Sequence, residues 1–311
     1  MSRNTSNKTL IAINRALLRA TFRSLGALPW RVLYALASSL AWLAHSVVKY
    51  RRAICADNIR TSFPEMTEAE VKRTSRRFYS LLADYFVETV KLGSMGRDEM
   101  MRRMKFENVE EVNADLRKGR NVSVFLGHIF NWEWVSTMPL WLDLTTGARP
   151  CQIYHPLDNI AADQVFAALR TRFGATNLSM AEAPKALLEM QRDGTTTITG
   201  YIADQTPPWN ALHHWLTFLH HDTAVFMGAE KISRKLHAAA YYIDMRSPAR
   251  GEYVARFVKM TPDSAKEKPG DLTQNYFDML AASIRRDPAR WLWTHRRWKH
   301  HRNHDAGDAP R

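Results

Sequence analysis

His128 stands where a general base belongs. Residues 121–127 (NVSVFLG) form a short, β-branched apolar run, the pattern of a buried strand. His128 follows at once, within HIFNWE at 128–133. In an open α/β sheet, ligands gather at the carboxyl ends of the strands. A neutral imidazole there takes a proton from a hydroxyl, and a carboxylate fixes its tautomer and stabilises the imidazolium. Glu133 is the nearest carboxylate in the chain. Five positions on a continuous helix set two side chains about 140° apart. The pair therefore meets only if His128 lies in the strand-to-helix turn and Glu133 in the first turn of the helix. The alternative is a turn histidine beside a surface glutamate.

Asp204 and Gln205 directly follow a second strand-like run, residues 195–203 (TTTITGYIA). This too is a strand end, so Asp204 is expected near His128 if the strands are neighbours. It reads as a second carboxylate, a metal ligand, or a turn former ahead of Pro207 and Pro208. Arg170 and Arg172 close a helical stretch before Gly174. There they complement the helix dipole or clamp a phosphate or carboxylate. The chain has 12 histidines, several in pairs (His213 and His214, His220 and His221, His300 and His301, with His304 nearby), but no H-E-x-x-H. No metal centre is expected. Cys55 and Cys151 are the only cysteines, which excludes a disulfide framework and favours a reducing compartment.

The elements that must position these residues alternate. Thr67 and Glu70 form a capping box, and apolar spacing carries the helix behind it to about Leu92. Further helices are expected over residues 132–142, 160–173, 181–192, 223–236 and 271–286. Strands are expected at 121–127, 151–154, 195–203, 238–244 and 253–260. The pattern predicts an α/β fold with a central, mostly parallel sheet flanked by helices. Residues 1–52 read as a basic amphipathic arm with a membrane-anchoring helix, and 53–311 as one domain. The cleanest apolar stretch, 32–48, is at the short limit for a bilayer span. It reads as a membrane anchor, a helix lying in the interface, or a core helix.

The 311 residues carry 44 Lys and Arg against 31 Asp and Glu, a formal charge of +13 that favours anionic partners. The tail at 285–302 (RRDPARWLWTHRRWKHHR) mixes cations with tryptophans, which suits nucleic acid or a membrane interface. No nucleic-acid motif supports the first, and no nucleic-acid partner is expected.

Taken in order, these segments resemble the bacterial lipid A late acyltransferases of the lysophospholipid acyltransferase superfamily. The resemblance runs through Arg51, Arg52, NIR at 58–60, SFP at 62–64, and GHIFNWE at 127–133. It continues through IYHPLDN at 153–159, RFG at 172–174, Asp204-Gln205, FMG at 226–228 and the PARWLWTHRRW block at 288–298. The stretch 206–223 departs from the better-known enterobacterial members and looks like the Bacteroidota variant.

The resemblance implies a glycerolipid-acyltransferase-like fold with an N-terminal membrane helix. It implies transfer of a fatty acyl chain from an acyl carrier protein thioester to a hydroxyl of an anionic, acylated glucosamine disaccharide. No cofactor or metal is implied. Its motifs make His128 the general base and Glu133 its partner. Arg172, or else Arg170, would hold an acceptor phosphate. Asp204 would position the sugar or support the His128 network, and Gln205 and Asn131 would line the substrate site. The expected place is the inner membrane, with the catalytic domain on the cytoplasmic face. An acyltransferase for another membrane lipid, or a basic membrane-binding protein without catalysis, are the rival readings.

Overall fold

The computed structural model describes residues 5–302. Seven strands make one sheet: β1 (Met104–Glu107), β2 (Val122–Leu126), β3 (Arg149–Tyr154), β4 (Thr176–Ser179), β5 (Thr197–Ile202), β8 (Ala239–Ala249) and β9 (Glu252–Thr261). Between β5 and β8, β6 (Trp215–Phe218) and β7 (His221–Ala224) form a separate hairpin. The sheet order is β1-β9-β8-β2-β5-β3-β4. Every pairing in it is parallel except β8 with β9. The mostly parallel α/β sheet expected from the sequence is therefore present.

Parallel central strands must be covered on both faces, and β2 is buried at every position. Its Val122, Val124 and Leu126 join a core with Trp134, Val135, Met138 and Leu92. Phe125 points the other way, onto Tyr276, Phe277 and Leu280 of a helix over Asp271–Arg286. Burying each such side chain stabilises the fold by about 1.5–3 kcal/mol.

The helices are α1 (Thr5–Ala27), α2 (Trp30–Trp42), α3 (Arg52–Ser62), α4 (Glu68–Leu92), α5 (Arg97–Arg103), α6 (Val109–Arg117), α7 (Ile160–Thr171), α8 (Ala183–Arg192), α9 (Gly228–Lys235) and α10 (Asp271–Arg286). The capping box forms as expected, with Thr67 Oγ1 accepting from the Glu70 N–H and Glu70 accepting from the Thr67 N–H at 2.8 Å. Residues 132–142 do not make an α-helix. Pro139 lies inside this stretch, and the chain winds instead as a 3-10 helix over Trp132–Leu140. The helix expected over 223–236 starts only at Gly228. The chain before it is β7, reached through a turn with Leu219 and His220 at positive φ.

The expected membrane helix takes a different form. No single helix among the described residues is long and apolar enough to cross a membrane. α2 runs 13 residues, continues as a π-helical turn over Leu43–Val47, and α3 then departs at 88°. One face of α2 is docked: Leu33, Ala37 and Ala41 pack on Ala83 and Val87 of α4. The other leaves Val32, Leu36, Leu40 and Trp42 exposed. α1 lies along α7, where Arg15 donates to Gln164 at 2.9 Å and Phe22 meets Phe166 edge-on. Its outer side exposes Leu10, Ile13 and Leu17.

The tail at 285–302 faces both ways: Arg285, Arg286, Arg296, Lys299 and Arg302 are exposed, but its aromatics turn inward. Trp291, Trp293, Thr294, Arg297 and His300 are all buried. His304 lies outside the described residues.

Candidate active site

β2 and β5 are parallel neighbours with Leu126 opposite Ile202. Their carboxyl ends therefore deliver His128 and Asp204 to the same spot. His128 Nδ1 stands 2.5 Å from Asp204 Oδ1. The His128 backbone N–H and the Trp291 indole N–H each donate to Asp204 Oδ2 at 2.8 Å. Gly127 permits this approach, since a Cβ there would stand 3.1 Å from Asp204 Oδ2 and collide with Leu280. Asp204 is 1% exposed. Burial alone would raise its pKa, but the charge on His128 and the three donors outweigh it and hold the carboxyl down at about 2. An ionised Asp204 fixes the tautomer with Nδ1–H toward the carboxylate and leaves Nε2 free to act as a base.

His128 Nε2 faces the Gln205 side-chain nitrogen at 3.2 Å. The imidazole is partly exposed and meets Trp132 edge-on, with centroids 4.9 Å apart. Thr206 fastens the loop after Gln205 to the tail. Its N–H donates to His295 Nε2 at 3.1 Å, and its hydroxyl reaches the Arg297 carbonyl at 2.7 Å. Burial, then the charge of Arg297, push the His295 pKa down to about 4. A neutral His295 is what a backbone N–H needs as an acceptor.

The expected partnership of His128 with Glu133 is not present. Both Glu133 oxygens are taken by Arg170, Nε to Oε2 at 2.8 Å and Nη2 to Oε1 at 2.5 Å. Tyr85 adds a third donor at 3.4 Å. The 3-10 winding turns residue 133 away from the imidazole and toward the end of α7. Arg170 is thus committed to Glu133. Arg172 is also committed: it donates to the Leu92 and Met95 carbonyls at the end of α4 and lies over the Phe173 ring. Neither guanidinium is placed as an open phosphate clamp. Asn131, expected to line the substrate site, is fully buried and donates to Glu88 at 2.9 Å.

The structure thus brings His128, Asp204 and Gln205 together, as the strand ends predict, and separates Glu133, Arg170, Arg172 and Asn131 from the imidazole. Sequence reasoning missed Trp291 and His295, which reach the site from the far end of the chain. It also missed Glu88, one buried carboxylate among many polar residues of α4. Nothing local marks these residues. The signal that existed was the tail's unusual density of aromatics.

A cleft of about 20 Å³, lined among others by Phe78, Tyr85, Phe130, Tyr253 and Arg290, shares Trp132 and Trp291 with the His128–Asp204 pair. Among the described residues, no three His, Cys, Asp or Glu side chains gather as metal ligands. His221 stacks on Trp298 and His300 stands edge-on to Trp209.

A family model described as bacterial lipid A biosynthesis acyltransferase matches residues 3–300. A search among curated proteins finds no match.

Proposed function

The chain belongs to the bacterial lipid A biosynthesis acyltransferase family, and from that premise we propose that it moves a fatty acyl chain from an acyl carrier protein thioester to a hydroxyl of a lipid A precursor, with His128 as general base and Asp204 as its partner. The observation that carries this reading is the His128–Asp204 pair at the ends of adjacent parallel strands.

The acceptor hydroxyl approaches His128 Nε2 and displaces the Gln205 side chain from it. Nε2 takes the hydroxyl proton as the oxygen bonds to the thioester carbonyl carbon. Asp204 stabilises the imidazolium and stays ionised itself. The tetrahedral adduct collapses, the C–S bond breaks, and the imidazolium returns its proton to the departing thiolate. Glu133 does not touch the imidazole in this scheme. Its buried pair with Arg170 fixes the 3-10 helix behind the catalytic turn.

The exposed apolar sides of α1 and α2 lie in the headgroup region of the inner leaflet, and Arg19, Arg23, Arg31 and Lys49 meet anionic lipid. This orientation replaces the spanning anchor. The positive charge also suits an acidic carrier protein and an anionic acceptor.

Mass spectrometry of lipid A from a strain lacking the protein tests the function. One acyl chain should be missing, restored by the wild-type gene and not by His128→Ala. Unchanged lipid A, with an acyl group missing from another polar lipid, would reassign the acceptor.

A further inference from the structure

His128 sits in a turn closed by a 2.8 Å hydrogen bond from the Ile129 N–H to the Gly127 carbonyl, and the strain lies just beyond it. Phe130, two residues on, has φ of +55°, a left-handed conformation unfavourable for a bulky aromatic. Such a conformation persists only where its surroundings impose it. From one side the tail does so, through the Ile129–Trp291 bridge and a 3.1 Å hydrogen bond from the Phe130 N–H to the Arg290 carbonyl. From the other side the turn is held through Asn131, whose side-chain N–H donates to Glu88 Oε2 at 2.9 Å.

Glu88, on α4, is a carboxyl group with no exposed surface, and burial pushes its pKa up to about 7. It meets three neutral donors: Asn131 from the catalytic turn, Tyr253 from β9 at 2.7 Å, and Tyr34 from α2 at 3.0 Å. Its backbone carbonyl takes the Trp134 indole N–H at 3.2 Å. The Asn131 side-chain oxygen meets no donor among the described residues. Within the described residues the amide is therefore oriented by Glu88.

We propose that Glu88 is a positioning residue for acyl transfer, holding the strained turn through Asn131 so that His128 Nε2 presents to the acceptor hydroxyl. This inference rests on the catalytic reading of His128 given above. It assigns Glu88 no contact with substrate.

The amide chemistry makes the claim testable by exchange. In Glu88→Gln, Asn131 can turn over so that its oxygen accepts from the new amide, and the tie survives. In Asn131→Leu position 131 has no donor and the tie is lost. Asn131→Asp alone does not remove it, because two adjacent buried carboxyls share a proton and keep a tie. In the double variant Glu88→Gln/Asn131→Asp, the amide introduced at position 88 donates to the carboxylate introduced at position 131, while the Tyr253 hydroxyl rotates to accept. Misplacing a reacting group by about 1 Å can cost on the order of 10²-fold.

The experiment is steady-state acyl transfer by the full-length protein with an acylated carrier protein and lipid A precursor, with melting temperature recorded for every variant. The expected results are a fall in kcat of about 10²-fold with little change in KM for Asn131→Leu, kcat within about threefold of wild type in the double variant Glu88→Gln/Asn131→Asp, and near wild-type kcat for Glu88→Gln. Tyr34→Phe removes one donor from Glu88 but not the tie, and should lower the melting temperature while kcat holds. A folded Asn131→Leu protein with normal kcat, or a folded double variant no more active than Asn131→Leu, overturns the inference. If the wild type transfers no acyl group while His128→Ala behaves identically, the catalytic reading itself fails, which is a separate outcome.

Discussion

Residues 30–50 and 285–302 both carry tryptophans beside cations, the first an apolar run with Arg31 and Lys49 at its ends and the second with seven Lys and Arg throughout, and they meet opposite fates. In the first, apolar residues recur at helical spacing. One stripe of α2 docks on α4, and the opposite face stays exposed, with Trp42 64% accessible. In the second there is little helical periodicity, and each tryptophan is buried or half-buried with its indole N–H satisfied. Trp291 donates to Asp204, Trp293 to the Pro288 carbonyl, and Trp298 to Thr223. A buried indole needs a partner, and the tail finds three. Aromatic and basic content alone therefore does not tell a segment with an exposed apolar face from one that walls the candidate site. What separates them is the outward face: Trp30 and Tyr34 also find partners, in Glu99 and Glu88, but Trp42 stays exposed, whereas no tail tryptophan does.

Several substitutions would sharpen or break this contrast. The largest effect is expected where the tail meets the chemistry. Asp204→Asn keeps the shape but loses the charge that fixes the imidazole tautomer. It should lower kcat by about 10²–10⁴-fold with the melting temperature nearly unchanged, since this is the scale of a positioned general base. Trp293→Ala empties a fully buried site and should cost about 3–5 kcal/mol in urea unfolding. Trp42→Ala should cost less than about 0.5 kcal/mol, yet weaken sedimentation with anionic vesicles. Equal destabilisation by the two would erase the contrast. Leu36→Ser with Leu40→Ser should reduce vesicle binding further while leaving the fold intact, and the binding that remains should fall as salt rises.

A further effect is one of pH. The folded-state pKa of His295 is pushed from 6.5 down to about 4. Above the unfolded value both states are neutral and the full contribution is present. As pH falls from about 6.5 toward 4, the unfolded chain binds a proton that the folded chain refuses, and stability is lost. The urea midpoint should decline over this window, and decline less in His295→Gln.

Much of the frame was legible. β2, β5, α4 and α10 follow from apolar periodicity and, for α4, from a capping box, because these elements are long or wholly buried. The strand-end rule also brought Asp204 to His128, since both follow uninterrupted apolar runs. The four-residue strands β1 and β4 escaped because their pattern is too short to rise above background. The β6–β7 hairpin escaped because its turn uses Leu219 and His220 in left-handed conformations that residues of those types rarely adopt. Within the site, the choice between Glu133 and Asp204 turned on whether residues 132–140 wind as an α-helix or a 3-10 helix. Spacing along the chain does not decide that, and the position of Arg170 does not show in it.

The central claim is that the His128 Nδ1 proton is held by Asp204 and not by Glu133. Proton NMR of the downfield imidazole N–H resonance, at low temperature in the full-length protein, tests it most directly. The signal should vanish in His128→Ala, vanish or move far upfield in Asp204→Asn, and persist in Glu133→Gln. A signal that survives Asp204→Asn and disappears in a folded Glu133→Gln protein would contradict the account.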